Sequence, residues 1–257
     1  MLRLYAGLIP RVLWKIFFII NFAAGLLVVY PVLAILLAGK PNYHAAYRVL
    51  QFWGRWVLYV PGIIPRVTWE FDKKDLPRTC IFVANHTSYL DIVESFCFLP
   101  HYHAYMVKEE AGKAPLLRVV FRDMHILVQR QSITASHKAF LRISEKLDQG
   151  HSVFIYPEGT ISVHGQLKLF KNGAFRLAID KQLPIVPITY CNNWQLLQNG
   201  GFAKVPGRPG LARVIVHKPV ETRGMTEADL VSLCSAVRST IEKSLSEELL
   251  RRKKKRK

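Results

Sequence analysis

The stretch Cys80-Ile81-Phe82-Val83-Ala84-Asn85-His86-Thr87-Ser88-Tyr89-Leu90-Asp91 decides the fold. Its first five residues are apolar and rich in β-branched and aromatic types, which reads as a buried strand. The run ends on a polar Asn-His pair, and Thr87 or Ser88 is a good N-cap for a helix over Tyr89 to Phe98. The same alternation repeats from about residue 62 onward. Further strand candidates are Val67 to Phe71, Ala104 to Val107, Ile126 to Gln129, Ser152 to Tyr156, Ile185 to Tyr190 and Ala212 to His217. Helical stretches around Ala135 to Gln149 and Gly173 to Asp180 lie between them. Strands alternating with helices predict an α/β domain with a mostly parallel central sheet flanked by helices.

The polar end of the first strand carries candidate chemistry. In one continuous helix, positions five apart lie ~140° apart, so His86 and Asp91 would not face each other. With His86 at the strand end and Asp91 in the first turns of the helix, the bend can bring carboxylate to imidazole. Such pairing orients the ring, fixes its tautomer and raises its basicity, and an oriented base takes a proton from a hydroxyl. A lone histidine is more often a satisfied, non-catalytic ring, and a second motif shifts that balance. Val153-Phe154-Ile155-Tyr156-Pro157-Glu158-Gly159-Thr160 is again a strand ending in a turn, here with a carboxylate and a glycine. Glycine permits close approach of a ligand to the backbone, and Glu158 can accept hydrogen bonds from hydroxyls.

The chain around these motifs has 257 residues, half of them hydrophobic, enough for a sizeable core. Gly and Pro together number 29, which excludes collagen-like and low-complexity classes. Thirty-six Lys and Arg against 18 Asp and Glu give a net charge of +18. A chain both basic and apolar suits a membrane surface better than nucleic acid, and no RNP-type pattern, P-loop or zinc spacing accompanies the charge. Cys80, Cys97, Cys191 and Cys234 are scattered, without a C-x-x-C pair, and read as free thiols. No cluster implies a metal or a redox cofactor.

Ile16 to Gly39 is a run of 24 uncharged residues, ~36 Å long as a helix and so able to cross a bilayer. A cleaved signal peptide would be shorter, and Pro31 predicts a kink or break. In a following helix, Val49, Trp53, Trp56, Val57 and Val60 gather on one side and Arg48, Gln51 and Arg55 on the other. Tryptophan beside arginine fits a helix at the lipid headgroup level, with packing against a protein core as the alternative. Basic residues flank the first segment on both sides, as expected of a two-helix hairpin dipping into one leaflet with both ends cytoplasmic. The expected organisation is a membrane-associated hairpin (1–61), the α/β domain (62–225), and an amphipathic helix with a basic tail (226–257). That last helix begins at Thr226 with Asp229 as an approximate capping box. Its last seven residues, Arg251 to Lys257, are all basic, either a solvated disordered tail or a contact for anionic lipid headgroups.

Over roughly residues 62 to 220 the sequence resembles the glycerolipid acyltransferases of the 1-acyl-glycerol-3-phosphate acyltransferase type. Four blocks match in the family's order: Asn85, His86 and Asp91; Arg130 after a strand, with Lys108 before it; Pro157 to Thr160, followed by Phe170-Lys171-Asn172-Gly173; and a late strand with Pro187. The resemblance implies that His86 is a general base oriented by Asp91, acting without a covalent acyl-enzyme. His86 would deprotonate the hydroxyl of a lysolipid, which attacks the thioester of acyl-CoA or an acyl-carrier protein and yields phosphatidic acid. Glu158 and Gly159 would hold the acceptor, and Arg130 and Lys108 would face its phosphate. Asn85, Thr160, Lys171 and Pro187 join the substrate-binding set by the same resemblance. The expected location is the inner or cytoplasmic membrane, with the site on the cytoplasmic side. One departure matters: the family usually has arginine after the threonine, and here that residue is Ile161, which cannot bind an anion. Either Arg130, Lys108, Lys168 or Lys171 takes the phosphate, or the acceptor is another lysolipid, such as an aminoacyl lipid. A lipase reading lacks its signal, since Gly150-His151-Ser152-Val153-Phe154 misses the final glycine of a nucleophile elbow. A non-enzymatic membrane-associated binding protein is the remaining alternative.

Overall fold

The computed structural model describes residues 8–113, 118–128, 133–162 and 165–256. Among them, seven strands form one sheet: β1 (Ile63–Trp69), β2 (Ile81–Ala84), β3 (His103–Lys108), β4 (Ile126–Val128), β5 (Ser152–Ile155), β6 (Ile185–Tyr190) and β7 (Gly210–Val216). Their spatial order is β1-β7-β6-β2-β5-β3-β4, and every neighbouring pair is parallel except β6 with β7. Every residue of β2, β5 and β6 is buried, which is why they read as unbroken apolar runs: a parallel sheet covered on both faces has no solvent side. β1 and β7 alternate in burial instead. All seven expected strands are present. β1 begins earlier than expected, and its Pro65 is tolerated because β1 is an edge strand.

Two helices precede the sheet, α1 (Leu8–Leu37) and α2 (Tyr43–Tyr59), the second capped by Asn42, whose Oδ1 accepts the Ala45 N–H at 3.0 Å. They pack as a hairpin around Asn21. Its Oδ1 accepts the Trp56 indole N–H at 2.9 Å, and Phe22 meets Trp53 edge to face with centroids 4.9 Å apart. α1 runs through Pro31 as one helix, so the expected break does not occur there. It is long and apolar enough to cross a membrane, and Ile9, Leu13, Phe17, Ile20, Val28 and Ile35 are exposed along it.

Of the residues expected on one side of α2, Trp53 and Val57 are buried against protein, whereas Trp56 and Val60 are exposed. Tyr47, Leu50, Trp53, Val57 and Leu58 are buried, between α1 on one side and α3 (Leu90–Phe98) on the other. Gly54 allows that approach, since a Cβ there would lie 3.1 Å from the Val93 carbonyl. The N-terminal helix is also fastened far along the chain: the Lys15 ammonium donates to the carbonyls of Phe202 and Val205, both at 2.7 Å.

The remaining helices are α4 (Arg118–Met124), α5 (Ile133–Asp148), α6 (Gly173–Lys181), the single turn α7 (Asn193–Leu196) and α8 (Leu230–Arg256). Thr226 and Asp229 form the expected capping box ahead of α8, which buries Leu230, Leu233, Val237 and Ile241. The basic run is not a disordered tail, because α8 continues through Arg256, with Arg251 bonded to Glu248 at 3.1 Å. Lys257 lies outside the described residues. One apolar core includes buried side chains from α1, α2, the sheet and α8.

Candidate active site

β2 ends at Ala84, and the next five residues, Asn85 to Tyr89, turn through a tight bend into α3. The bend brings Asp91 back onto His86, with Nδ1 and Oδ2 2.9 Å apart. The same Oδ2 accepts the backbone N–H groups of Thr87 at 2.7 Å and Ser88 at 3.0 Å, while Oδ1 accepts from the Asn193 amide at 2.8 Å. The two backbone donors belong to the bend just ahead of the helix, so the carboxylate pins that bend to the first turn of α3. Asp91 is completely buried and can only accept, so His86 Nδ1 is the donor and Nε2 is left with its lone pair for a substrate.

Asn85 does a different task. Its side chain donates to the Tyr190 carbonyl at 3.0 Å and accepts the Tyr190 N–H at 2.8 Å, a ladder rung made by a side chain that fixes the bend to the end of β6. Tyr89 rather than Thr87 or Ser88 is the N-cap of α3; Ser88, one residue earlier, accepts the Leu90 N–H at 3.1 Å through Oγ and donates to the Leu197 carbonyl at 2.6 Å. Ser152, in the incomplete elbow, is buried in β5 and bonded to the Cys80 N–H, so it is no exposed nucleophile.

The second motif is knitted to the first at His86 itself. Glu158 Oε1 accepts the His86 N–H at 2.8 Å, Oε2 accepts the Lys168 N–H at 3.0 Å, and the His86 carbonyl accepts the Ser162 N–H at 2.8 Å. Burial raises the Glu158 pKa, and these two N–H bonds oppose it. Gly159 adopts φ +71°, and a Cβ there would lie 3.3 Å from Lys171 Nζ, so the exposed lysine lies across the glycine. Tyr156 lies parallel to the His86 ring.

A cavity of about 650 Å³ opens beside this cluster, a size typical of small-molecule sites. His86, Tyr156, Thr160 and Ile161 contribute to its wall, together with Phe96 and Val107. Phe22 and Leu26 of α1 and Leu50 and Trp53 of α2 also line it. The lining is predominantly apolar, suited to a hydrocarbon chain.

The fold therefore brings together His86, Asp91, Glu158, Gly159, Thr160 and Lys171. Pro187 is not at the cavity: it sits inside the sheet in register with Val83, its carbonyl accepting the His217 N–H at 2.9 Å. Lys108 ends β3, paired with Val128, and only its backbone is described. Arg130 lies outside the described residues. Tyr156, Glu94 and Asn193 are the neighbours that sequence reasoning missed. Glu94 was visible as a carboxylate within an apolar helix, whereas Asn193, 102 residues from Asp91, gave no signal.

Residues 69–191 match the Acyltransferase family model. Over 168 residues the chain is 32% identical to the chloroplastic 1-acyl-sn-glycerol-3-phosphate acyltransferase BAT2 of Brassica napus, covering 65% of this chain and 46% of that one. It is 32% identical over 158 residues to the human 1-acyl-sn-glycerol-3-phosphate acyltransferase beta, covering 61% and 56%. A relative of the same name from Borreliella burgdorferi is 26% identical over 194 residues, covering 73% and 74%. The chain thus spans about half the length of the first two relatives. In fold it is similar to the crystal structure of the 1-acyl-sn-glycerophosphate acyltransferase PlsC from Thermotoga maritima, with a TM-score of 0.75, 20% identity, and coverage of 93% and 96%. Over residues 69–191 the chain is thus similar to the acyltransferase family.

Proposed function

We propose that the protein transfers a fatty acyl group from acyl-CoA or an acyl-carrier protein to the free hydroxyl of 1-acyl-glycerol-3-phosphate, giving phosphatidic acid for phospholipid synthesis. The observation that carries this reading is a histidine locked by Asp91 at the wall of an apolar cavity. His86 Nε2 takes the hydroxyl proton as the oxygen attacks the thioester carbonyl. The C–O bond forms, the C–S bond breaks, and the imidazolium returns the proton to the departing sulfur. The acyl chain occupies the apolar cavity. Lys171, lying across Gly159, supports the acceptor's phosphate, with Lys168, Lys108 and Arg130 as further cations, since charge-assisted hydrogen bonds are the strong ones. Glu158, Gly159 and Thr160 shape the acceptor's seat. The exposed apolar side of α1 rests in the bilayer, the site faces the cytoplasm, and the basic end of α8 is drawn to anionic headgroups.

A second acceptor class is favoured by one observation. Ile161 contributes to the cavity wall, and among the described residues that line it Glu110 is the charged one besides the titratable histidines. A lysolipid carrying an amine fits such a lining. An acyl-transfer assay of the purified protein over lyso acceptors with and without phosphate, read by product mass, tests both readings. Turnover of phosphate-bearing acceptors supports the first, turnover of amine-bearing acceptors alone supports the second, and an undiminished rate in His86→Ala overturns the mechanism.

A further inference from the structure

Behind Asp91 lies a second buried carboxylate that the mechanism above does not use. Glu94 follows one helical turn later on α3, and Asn193 reaches both acids from α7. Its amide gives one hydrogen to Asp91 Oδ1 at 2.8 Å and the other to Glu94 Oε2 at 2.6 Å. All three side chains are completely buried. Packing does not account for Glu94: an apolar residue would fill the space without the desolvation cost, and Glu94 Oε1 has no hydrogen-bond partner among the described residues.

We infer that Asn193 and Glu94 form an outer layer of the His86–Asp91 pair, Asn193 fixing Asp91 and Glu94 setting, through that amide, the charge the pair experiences. The inference rests on His86 being the base. Both are positioning residues, since neither touches the cavity. The groups facing Glu94 are few. Asp91 and Cys97 share its helix, Tyr190 comes from β6, Arg55 of α2 acts on Cys97, and Tyr105 of β3 stands near Asp91. Burial pushes the Glu94 carboxyl up to about 8, with the Asn193 bond opposing and the Asp91 charge adding to it. Glu94 is then a neutral acid at pH 7, and the shared amide serves Asp91 as its charged partner. Above that range Glu94 becomes a second anion competing for the same amide.

The experiment follows the reactivity of His86 directly. Carbethoxylation of His86 by diethyl pyrocarbonate, quantified on the peptide that contains it, is measured from pH 6 to 9.5 in the parent, Glu94→Gln and Asn193→Ala. The acyl-transfer rate is measured over the same range. The parent is expected to show a step near pH 8 in both readouts. Glu94→Gln copies the protonated acid and removes the step; Asn193→Ala removes it with Glu94 in place and lowers kcat roughly tenfold to a hundredfold at little change in KM, as misplacement does. Glu94→Ala should lose more activity than Glu94→Gln. A carbethoxylation profile that is the same in parent and both variants overturns the inference. If the step is present and removed while no chain transfers acyl groups, the outer layer stands and the proposed reaction falls. Should Glu94→Gln fail to fold, Asn193→Ala decides alone.

Discussion

The His86 imidazole lies flat against the Tyr156 ring, with centroids 3.9 Å apart and planes 14° from parallel. Asp91 holds the ring by an edge and Tyr156 by a face, so rotation of the imidazole breaks one contact or the other. Tyr156→Leu removes the face support and is expected to lower kcat about tenfold, since a base must keep its geometry to work. Tyr156→Phe should lose less, because the ring remains. Steady-state kinetics on the two variants check the order.

Asp91→Asn keeps a side chain of the same shape but replaces an acceptor that serves four donors with a group that has donors of its own. Acyl transfer should fall by about 10² to 10⁴, the range of general-base contributions, in Asp91→Asn and in His86→Ala alike. Circular dichroism on the same preparations should show an unaltered fold for His86→Ala.

Stability should respond to pH through two buried groups of opposite sign. Glu94 is protonated in the folded protein up to about pH 8, while in the unfolded chain it ionises near its ordinary 4.5. Above 4.5 the unfolded state therefore holds fewer protons, and this group removes stability as pH rises toward 8. Glu94→Gln should gain in melting temperature over the parent at pH 8 and lose that advantage at pH 5. His103 is the reverse, held by burial down to about 3. Below pH 6.5 the unfolded chain binds a proton that the folded one refuses, so stability falls as pH drops from 6.5 toward 3. His103→Gln should flatten that acid limb. Melting curves from pH 4.5 to 8.5 test both directions.

Ile161 stands where the resemblance drawn from the sequence leads one to expect arginine. Ile161→Arg introduces a cation beside Thr160 at the cavity wall. For a phosphate-bearing acceptor the KM should fall about tenfold, equivalent to ~1.4 kcal/mol and in keeping with one charge-assisted hydrogen bond. An amine-bearing acceptor should bind less well to the same variant. Competition between the two acceptors in one reaction gives the answer without absolute rates.

Leu26 is 2% exposed and lines the cavity from α1. Leu26→Trp adds bulk inside a space already bounded by Trp53 and Leu50. Preference should move toward shorter acyl chains, measured as the product distribution from a mixture of acyl donors. An unchanged distribution would place the chain elsewhere.

Much of this architecture was legible, and the illegible parts share a cause. β2, β5 and β6 announce themselves because a strand buried on both faces must be apolar throughout. The His86 and Asp91 pair could be placed because both partners lie within one bend, where local geometry decides. Asn193 could not, since its position depends on how β6 returns beside β2. α2 shows the same limit in another form. Periodicity groups Trp53 and Val57, which protein covers, with Trp56 and Val60, which stay exposed, and a sequence does not say where α1 and α3 will settle on that side. Glu158 is similar: its carboxylate is directed at backbone N–H groups of two separate turns, which no spacing rule foresees.

The tether from Lys15 to the carbonyls of Phe202 and Val205 has a consequence in time. During synthesis α1 leaves the ribosome well before the oxygens that receive its ammonium, which are made about 190 residues later, ~10 to 40 seconds at ordinary elongation rates. Until then this charge at the start of a long apolar helix needs water or another partner. The strand β1 waits in the same way for β7. This corner of the fold thus forms late, when residues 202–216 close over what α1 and β1 left open.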